Sequence, residues 1–260
     1  MKIKAVKGTR DFYPPEMAVH NFILDGWKAA SIRSGFEEYE GPIFEYLKMY
    51  KVKSGEEIVE QLFNFSDRGG RELAIRPEIT PTLARMVNQQ INSLSKPIKW
   101  FSLPRMCRAE RPQKGRLREF FQWNIDIIGV EDVTADAEVI FTSVDYLRSV
   151  GLGSSDIKAK ISSRKLLAAV LESIGIASED LEGLYPVLDK RAKLSDEAFV
   201  ETLGKQVSDG GKIDKILKVM DVESFEQIAD VVELNEHAVE ALEEVKKLFG
   251  LLDVMGIGEY

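Results

Sequence analysis

Residues 97 to 130 constrain this chain most. They read PIKWFSLPRMCRAERPQKGRLREFFQWNIDIIGV, two strand-like runs around a basic turn. The first run, Pro97 to Arg108, mixes aromatic, apolar and arginine residues. The second, Leu117 to Val130, is rich in the aromatic and β-branched residues that suit a pleated surface. Between them lie Arg111, Pro112, Gln113, Lys114, Gly115 and Arg116, where proline and glycine break either ladder. The pattern fits one long antiparallel hairpin.

Side chains alternate faces along a strand, and that parity sorts the second run. Phe121, Trp123, Ile125 and Ile127 share one apolar face, suited to a core. Phe120, Gln122, Asn124 and Asp126 share the other, and on the first run Arg108 and Glu110 have matching parity. A hairpin would then present Arg108, Glu110, Phe120, Gln122 and Asp126 to one concave surface. That set holds a cation for phosphate, acceptors for amines and an aromatic platform for a base. Periodicity alone also allows a half-exposed hairpin with a solvated charged face.

The string Arg108-Ala109-Glu110, a basic loop and then Phe120 resembles motif 2 of class II aminoacyl-tRNA synthetases. Extended to ERPQKGRLREF with Gln122 and Asp126, it resembles the histidyl-tRNA synthetase family in particular. The family usually has an aromatic residue or His in place of Ala109, and often His in place of Phe121. Neither departure touches a ligand-binding position.

Composition narrows the alternatives. A chain of 260 residues fits one large domain or two smaller ones, and 44% apolar content is enough for a sizeable core. The net charge of −8 argues against bulk electrostatic binding of nucleic acid. Arg111 to Arg118 is the one dense basic stretch. The single cysteine, Cys107, excludes an intrachain disulfide and suits a reducing cytoplasm. No apolar run reaches membrane-spanning length, and the start lacks a signal-peptide core. The two histidines, His20 and His237, lie far apart with no Cys/His cluster, so no zinc site is expected.

Along the chain, KGTRDF (Lys7 to Phe12) resembles the N-terminal signature of the family. Glu16 to Ser34 has helical spacing at Val19, Phe22, Ile23, Trp27 and Ala30, with Gly35 as a stop. His20 lies on this helix and reads as a surface or interface residue. The extended segment Phe36 to Phe44 with Pro42 resembles class II motif 1, which builds the dimer interface in the family. Short strands are expected at 61–65 and 72–76, with Asp67-Arg68-Gly69-Gly70 as their turn. RPEIT, Arg76 to Thr80, then runs into a helix. Pro77 favours an extended Arg76, Thr80 is the expected N-cap, and Pro81 the first helical residue. Glu78 falls just ahead of the helix N-terminus, where a carboxylate is stabilised. Arg85, on that helix, reads as structural.

Thr134 to Val150 reads as an amphipathic helix capped by Thr134, 156–162 as a strand and 164–175 as a helix. From about Ala177 aromatics thin out, and helices are expected at 178–192, 195–206, 211–220, 223–233 and 235–254, with Ser195 and Asn235 as caps. His237 and the Glu243-Glu244…Lys246-Lys247 cluster read as solvent-facing. The resemblance implies an α+β fold: a class II synthetase-like antiparallel sheet flanked by helices over residues 1–175, then a helical insertion subdomain over 176–260.

The resemblance also implies a reaction. Histidine would be activated by ATP to histidyl-adenylate and passed to tRNA(His). Arg108 would be catalytic, bridging the substrate carboxylate and the α-phosphate. Glu110, Arg116 and Phe120 would complete the ATP site, with Mg²⁺ carried by ATP rather than by a protein cage. Glu78, Thr80 and Gln122 would take the histidine ammonium, and Asp126 the imidazole. Gln113 and Arg118 would meet the tRNA acceptor end, in a cytoplasmic homodimer joined through motif 1. The family's second histidine-binding segment, motif 3 and anticodon domain are expected beyond Tyr260, so the chain reads as a fragment inactive by itself. The rival reading is the synthetase-like regulatory subunit of ATP phosphoribosyltransferase, whose motif 2 is typically eroded. A further rival is a non-catalytic interaction module of the same fold.

Overall fold

The structure, a computed structural model, describes residues 3–222 and 224–260. The chain forms two compact units, Met1–Gly153 and Ser154–Tyr260. The division therefore falls well before residue 176, where the change in composition begins.

In the first unit, α1 (Pro14–Arg33) is followed by β1 (Glu37–Glu38), β2 (Phe44–Tyr46) and α2 (Leu47–Ser54). Then come β3 (Asn64–Ser66), β4 (Glu72–Ile75), α3 (Thr80–Gln90), β5 (Ile98–Ser102), β6 (Arg105–Cys107), β7 (Glu119–Phe121), β8 (Asn124–Ile128) and α4 (Thr134–Ser149). One sheet has the order β1-β5-β8, parallel between β1 and β5 and antiparallel between β5 and β8. A second is the antiparallel β2-β4-β3, closed by the Asp67 turn, where the carboxylate accepts from the Gly69 and Arg71 amides. The third is the β6-β7 pair.

The single long hairpin expected from 97 to 130 is thus two ladders. The break falls at Leu103-Pro104, because proline has no amide to give a ladder. Across it the Gln122 amide reaches the Pro104 carbonyl at 3.3 Å. The parity of the second run survives the break. Phe121 meets His20 of α1 at 4.3 Å between ring centroids, and Trp123 stacks on Trp27 at 5.8 Å. The opposite face is not open. Tyr39, Ile79, Leu83, Ile98 and Met106 form a buried cluster there, with Trp100, Phe120 and Ile128 packed against it.

Three local expectations change. Thr80 is the first residue of α3, not its cap, and makes no capping bond. Thr134 likewise begins α4, where Asp132, two residues earlier, accepts from its amide at 2.9 Å. An Asx turn outcompetes the threonine hydroxyl at that position. Val19 and Phe22, expected on the apolar stripe of α1, are 61% and 64% exposed, because the helix turns Trp27, Ala30 and Ser31 inward instead.

The second unit contains α5 (Arg164–Ile174), α6 (Leu181–Leu188), α7 (Asp196–Gly204), α8 (Gly210–Met220), α9 (Phe225–Val231) and α10 (Glu236–Val254). Its core gathers Leu171, Leu184, Phe199, Leu203, Ile216 and Leu242. Because α5 contributes to this core and packs along α10, it belongs with the helices that follow it. Ser195 and Asn235 cap α7 and α10 as expected, at 3.3 and 2.8 Å. The residue-223 start expected for α9 lies outside the described residues. Residues 156–162 form no strand. The Ala159 amide bonds the Tyr260 carbonyl at 2.5 Å, without a ladder to either side.

Candidate functional site

Arg76 organises the approach to the site. It follows β4, is 2% exposed, and has its guanidinium fully engaged. Nη1 donates to Glu40 Oε1 at 2.5 Å and to the Gly41 carbonyl at 2.9 Å, and Nε donates to the Arg105 carbonyl at 3.0 Å. Its own carbonyl accepts from the Cys107 amide. One planar fork thus ties the segment before β2 to strand β6, a geometry that a lysine could not reproduce. Gly41 is required there, since a Cβ would run into the Thr82 side chain. Sequence reasoning assigned Pro77 a role in holding this segment but gave none to Arg76 or Glu40, whose partners are distant in the chain.

The Pro77 turn brings the RPEIT segment beside Arg108, just past β6. Arg108 donates from Nε to the Pro77 carbonyl at 3.3 Å, and its Cζ lies 5.0 Å from the centre of the Phe120 ring. Glu78 is held by Lys53 Nζ at 2.5 Å, a partner that no local pattern signals. Thr80 is exposed at the start of α3.

The basic loop is a hairpin in its own right. The Arg108 amide bonds the Arg118 carbonyl at 2.8 Å, and Gln113 and Arg116 exchange backbone bonds at 3.0 Å. Gly115 turns the chain with φ +79°, a left-handed conformation that favours glycine. Arg116 Nη1 lies 3.5 Å from Glu110 Oε2, an exposed and weak pair. Arg118 is turned back: its Nε bonds the Glu110 carbonyl at 3.1 Å and its amide bonds the Gly8 carbonyl at 2.7 Å.

Asp126 lies deeper, opposite Trp100 across the β5-β8 ladder. Burial holds its carboxyl above the usual aspartate range. It also raises Tyr39, whose phenol is pushed up first by desolvation and then by the Asp126 and Glu40 charges. Gln122 is exposed at the break between β7 and β8. The expected residues therefore fall into two groups. Arg108, Phe120 and the turn before Glu78 are linked by direct contacts, with Glu110 and Arg116 at the mouth of the loop. Asp126 lies in the β1-β5-β8 sheet, beyond the break that separates it from the β6-β7 ladder.

A family model described as histidyl-tRNA synthetase matches residues 8–257. The chain belongs to the histidyl-tRNA synthetase family. It is 40% identical over 255 residues to the chloroplastic/mitochondrial histidine–tRNA ligase of Arabidopsis thaliana, covering 98% of this chain and 52% of that protein. With the histidine–tRNA ligase of Pyrococcus abyssi it shares 38% identity over 256 residues, 97% of this chain and 58% of the relative. The chain thus spans little more than half the length of these relatives.

The fold is that of solved members of the family. The histidyl-tRNA synthetase of Nostoc sp. PCC 7120 matches all of this chain and 60% of its own, with a TM-score of 0.88 at 18% identity. A Bacillus halodurans protein described as an ATP phosphoribosyltransferase regulatory subunit/histidyl-tRNA synthetase matches 99% of this chain and 66% of its own, with a TM-score of 0.82 at 23% identity. Among the described residues no helix is long and apolar enough to cross a membrane, and no group of three or more His, Cys, Asp or Glu is arranged to hold a metal ion.

Proposed function

We propose that this chain carries the ATP- and histidine-binding surface of a histidine–tRNA ligase. In the reaction a histidine carboxylate oxygen attacks the α-phosphorus of ATP. A P–O bond forms as the bond to pyrophosphate breaks, giving histidyl-adenylate for transfer to tRNA(His). Arg108 carries the proposal: its planar fork sits between the Phe120 ring and the turn before Glu78. A single cation there can meet both the substrate carboxylate and the α-phosphate. Phe120 stacks the adenine, Glu110 accepts from its amino group, and Arg116 swings from Glu110 to the terminal phosphates. Glu78, Thr80 and Gln122 take the α-ammonium, and Asp126 accepts from the imidazole. Mg²⁺ arrives with ATP.

Gln113 at the loop tip meets the tRNA acceptor end. The exposed apolar residues Val19 and Phe22 of α1, with Phe44 two residues past Pro42 and Phe65 in ring contact with it, suit a homodimer interface. The working compartment is the cytoplasm, in keeping with one unpaired cysteine.

The test is histidine-dependent ATP–pyrophosphate exchange by the protein in the length its gene encodes. Exchange that Arg108→Ala abolishes supports a ligase. Histidine binding without any exchange supports the regulatory-subunit reading instead.

A further inference from the structure

Residues 53–61 are tied to both halves of the proposed site. At the start of this segment, Lys53 in the last turn of α2 donates from Nζ to Glu78 Oε2 at 2.5 Å. At its end, the Gln61 carbonyl accepts from the Ala109 amide at 2.9 Å, between Arg108 and Glu110. The ring closes where Arg108 Nε meets the Pro77 carbonyl, one residue before Glu78. The segment is itself anchored. Leu47 and Tyr50 of α2 are buried with Leu62 and Ala74 in a small core, and Ile58 and Val59 pack against it. Gly55 ends α2, its amide on the Lys51 carbonyl at 2.9 Å. Lys53 therefore reaches Glu78 from a fixed base.

Lys53 meets one of the two carboxylate oxygens. Among the described residues, Glu78 Oε1 makes no hydrogen bond or ion pair. The two oxygens of an ionised carboxylate offer about four lone-pair sites, so one ammonium leaves room for a second. The Lys53 side chain is 44% exposed and that of Glu78 27%, and a pair so open to water adds little to stability. Its consequence is orientation. A glutamate that turns freely loses rotamer freedom when a ligand binds it, and one already held does not.

We propose that Lys53 is a positioning residue for the amino-acid substrate: it holds Glu78 through Oε2 and leaves Oε1 for the α-ammonium of histidine. The inference rests on the ligase reading and deepens it. Lys53 touches no reacting atom and acts through Glu78. The Gln61–Ala109 bond ties the same segment to motif 2, so the acceptor of the ammonium and the Arg108 cation are held in register. Glu78 then carries two ammonium groups, and water at the half-exposed lysine screens their repulsion.

The experiment uses the gene-length protein and two variants. Lys53→Met removes the contact. Lys51→Met is the control, since Lys51 lies on the same helix but pairs with Glu56 instead. The ligands are histidine and imidazole-4-propionate, which keeps the ring and the carboxylate but has no amino group. In pyrophosphate exchange, Lys53→Met should raise the KM for histidine about five-fold, the cost of ordering one long side chain, and leave kcat and the KM for ATP within about two-fold. The Ki of the analogue, measured against histidine, should also stay within about two-fold, because it has no ammonium to place. Lys51→Met should leave every constant within about two-fold, as surface changes usually do.

An unchanged KM for histidine in Lys53→Met overturns the proposal. A lower KM overturns it too, and makes Lys53 a competitor that occupies Glu78 until the substrate displaces it. A rise shared by histidine, ATP and the analogue also overturns it, as the mark of a general loosening of α2. Absence of histidine-dependent exchange in the wild-type protein defeats the ligase reading and this proposal together. Normal wild-type exchange with an unmoved Lys53→Met defeats the proposal alone.

Discussion

The guanidinium carbon of Arg108 lies 5.0 Å from the centre of the Phe120 ring, over the aromatic face proposed for adenine. Without nucleotide the cation and the ring serve each other, a contact of roughly 0.5–1 kcal/mol where water has access. In the proposed ATP site the ring would take the base instead, and the arginine would extend to the α-phosphate.

Separate outcomes follow for the two side chains. Phe120→Leu should raise the KM for ATP about ten-fold, since base–aromatic stacking is worth about 1–3 kcal/mol. Arg108→Lys should lower kcat in pyrophosphate exchange by about 10²–10³, because a point charge cannot bridge two oxyanions as a fork does. Steady-state exchange kinetics decide this. A lysine variant within about five-fold of wild type would remove Arg108 from the reaction centre.

Arg76 should matter for folding out of proportion to any pair on the surface. Its loss leaves the Gly41 and Arg105 carbonyls without their guanidinium donors, in a place where the arginine itself is nearly inaccessible. Arg76→Ala is expected to cost about 2–4 kcal/mol in urea unfolding. Arg76→Lys should recover only part of it, since one ammonium cannot span both carbonyls. Lys28→Ala, which breaks an exposed pair with Glu38, should cost under about 1 kcal/mol. Equal losses at positions 28 and 76 would refute the role given to the buried fork.

The parity of β8 was readable because period-two alternation is a local signal. Phe121 and Trp123 do face α1, and Asp126 does face away from it. Its surroundings were not readable. Tyr39 reaches that face through a parallel pairing between β1 and β5, and no spacing along the chain announces a two-residue strand recruited from so far away. The Lys53–Glu78 and Arg76–Glu40 pairs were hidden for the same reason. In the helical unit, Ser195 and Asn235 were legible as caps because a cap acts within three residues. The unit boundary was not, because the apolar stripe of α5 shows that the helix packs but not which helix it packs on.

Asp126 should report its burial through pH. Burial raises its carboxyl above the ordinary value of about 3.9, so the folded protein binds this proton more readily than the unfolded chain does. The ionised form therefore costs stability. The cost is absent below about pH 3.9, grows as pH rises toward the folded value, and stays constant above it. Asp126→Asn removes it. The variant should melt higher than wild type at pH 7, with the difference shrinking toward zero as the pH is lowered to about 3.9. A difference independent of pH would exclude the carboxyl as its source. In exchange assays Asp126→Ala should raise the KM for histidine roughly 30-fold, with little change for ATP, as loss of a charge-assisted bond of about 2 kcal/mol requires. Equal effects on both substrates would place Asp126 outside the amino-acid pocket.

The motif 2 loop separates two residues that sequence alone treated alike. Gln113 stands exposed at the tip, joined to Arg116 only through backbone bonds. Arg118 is folded back, with its side chain on the Glu110 carbonyl and its amide on the carbonyl of Gly8. Its aliphatic stem sits so close that a Cβ on Gly8 would meet it at 2.9 Å. Arg118 thus braces the base of the loop, next to the acid proposed for adenine. Gln113→Ala should leave pyrophosphate exchange within about two-fold, as surface truncations usually do, and slow transfer of histidine to tRNA several-fold more. Arg118→Ala should lower exchange and transfer together, because it loosens Glu110 before any tRNA arrives. Single-turnover transfer from preformed adenylate, measured beside exchange, distinguishes the two. If Arg118→Ala slows transfer alone, its side chain turns outward to tRNA in the working enzyme, and the brace to Glu110 carries no weight in activation.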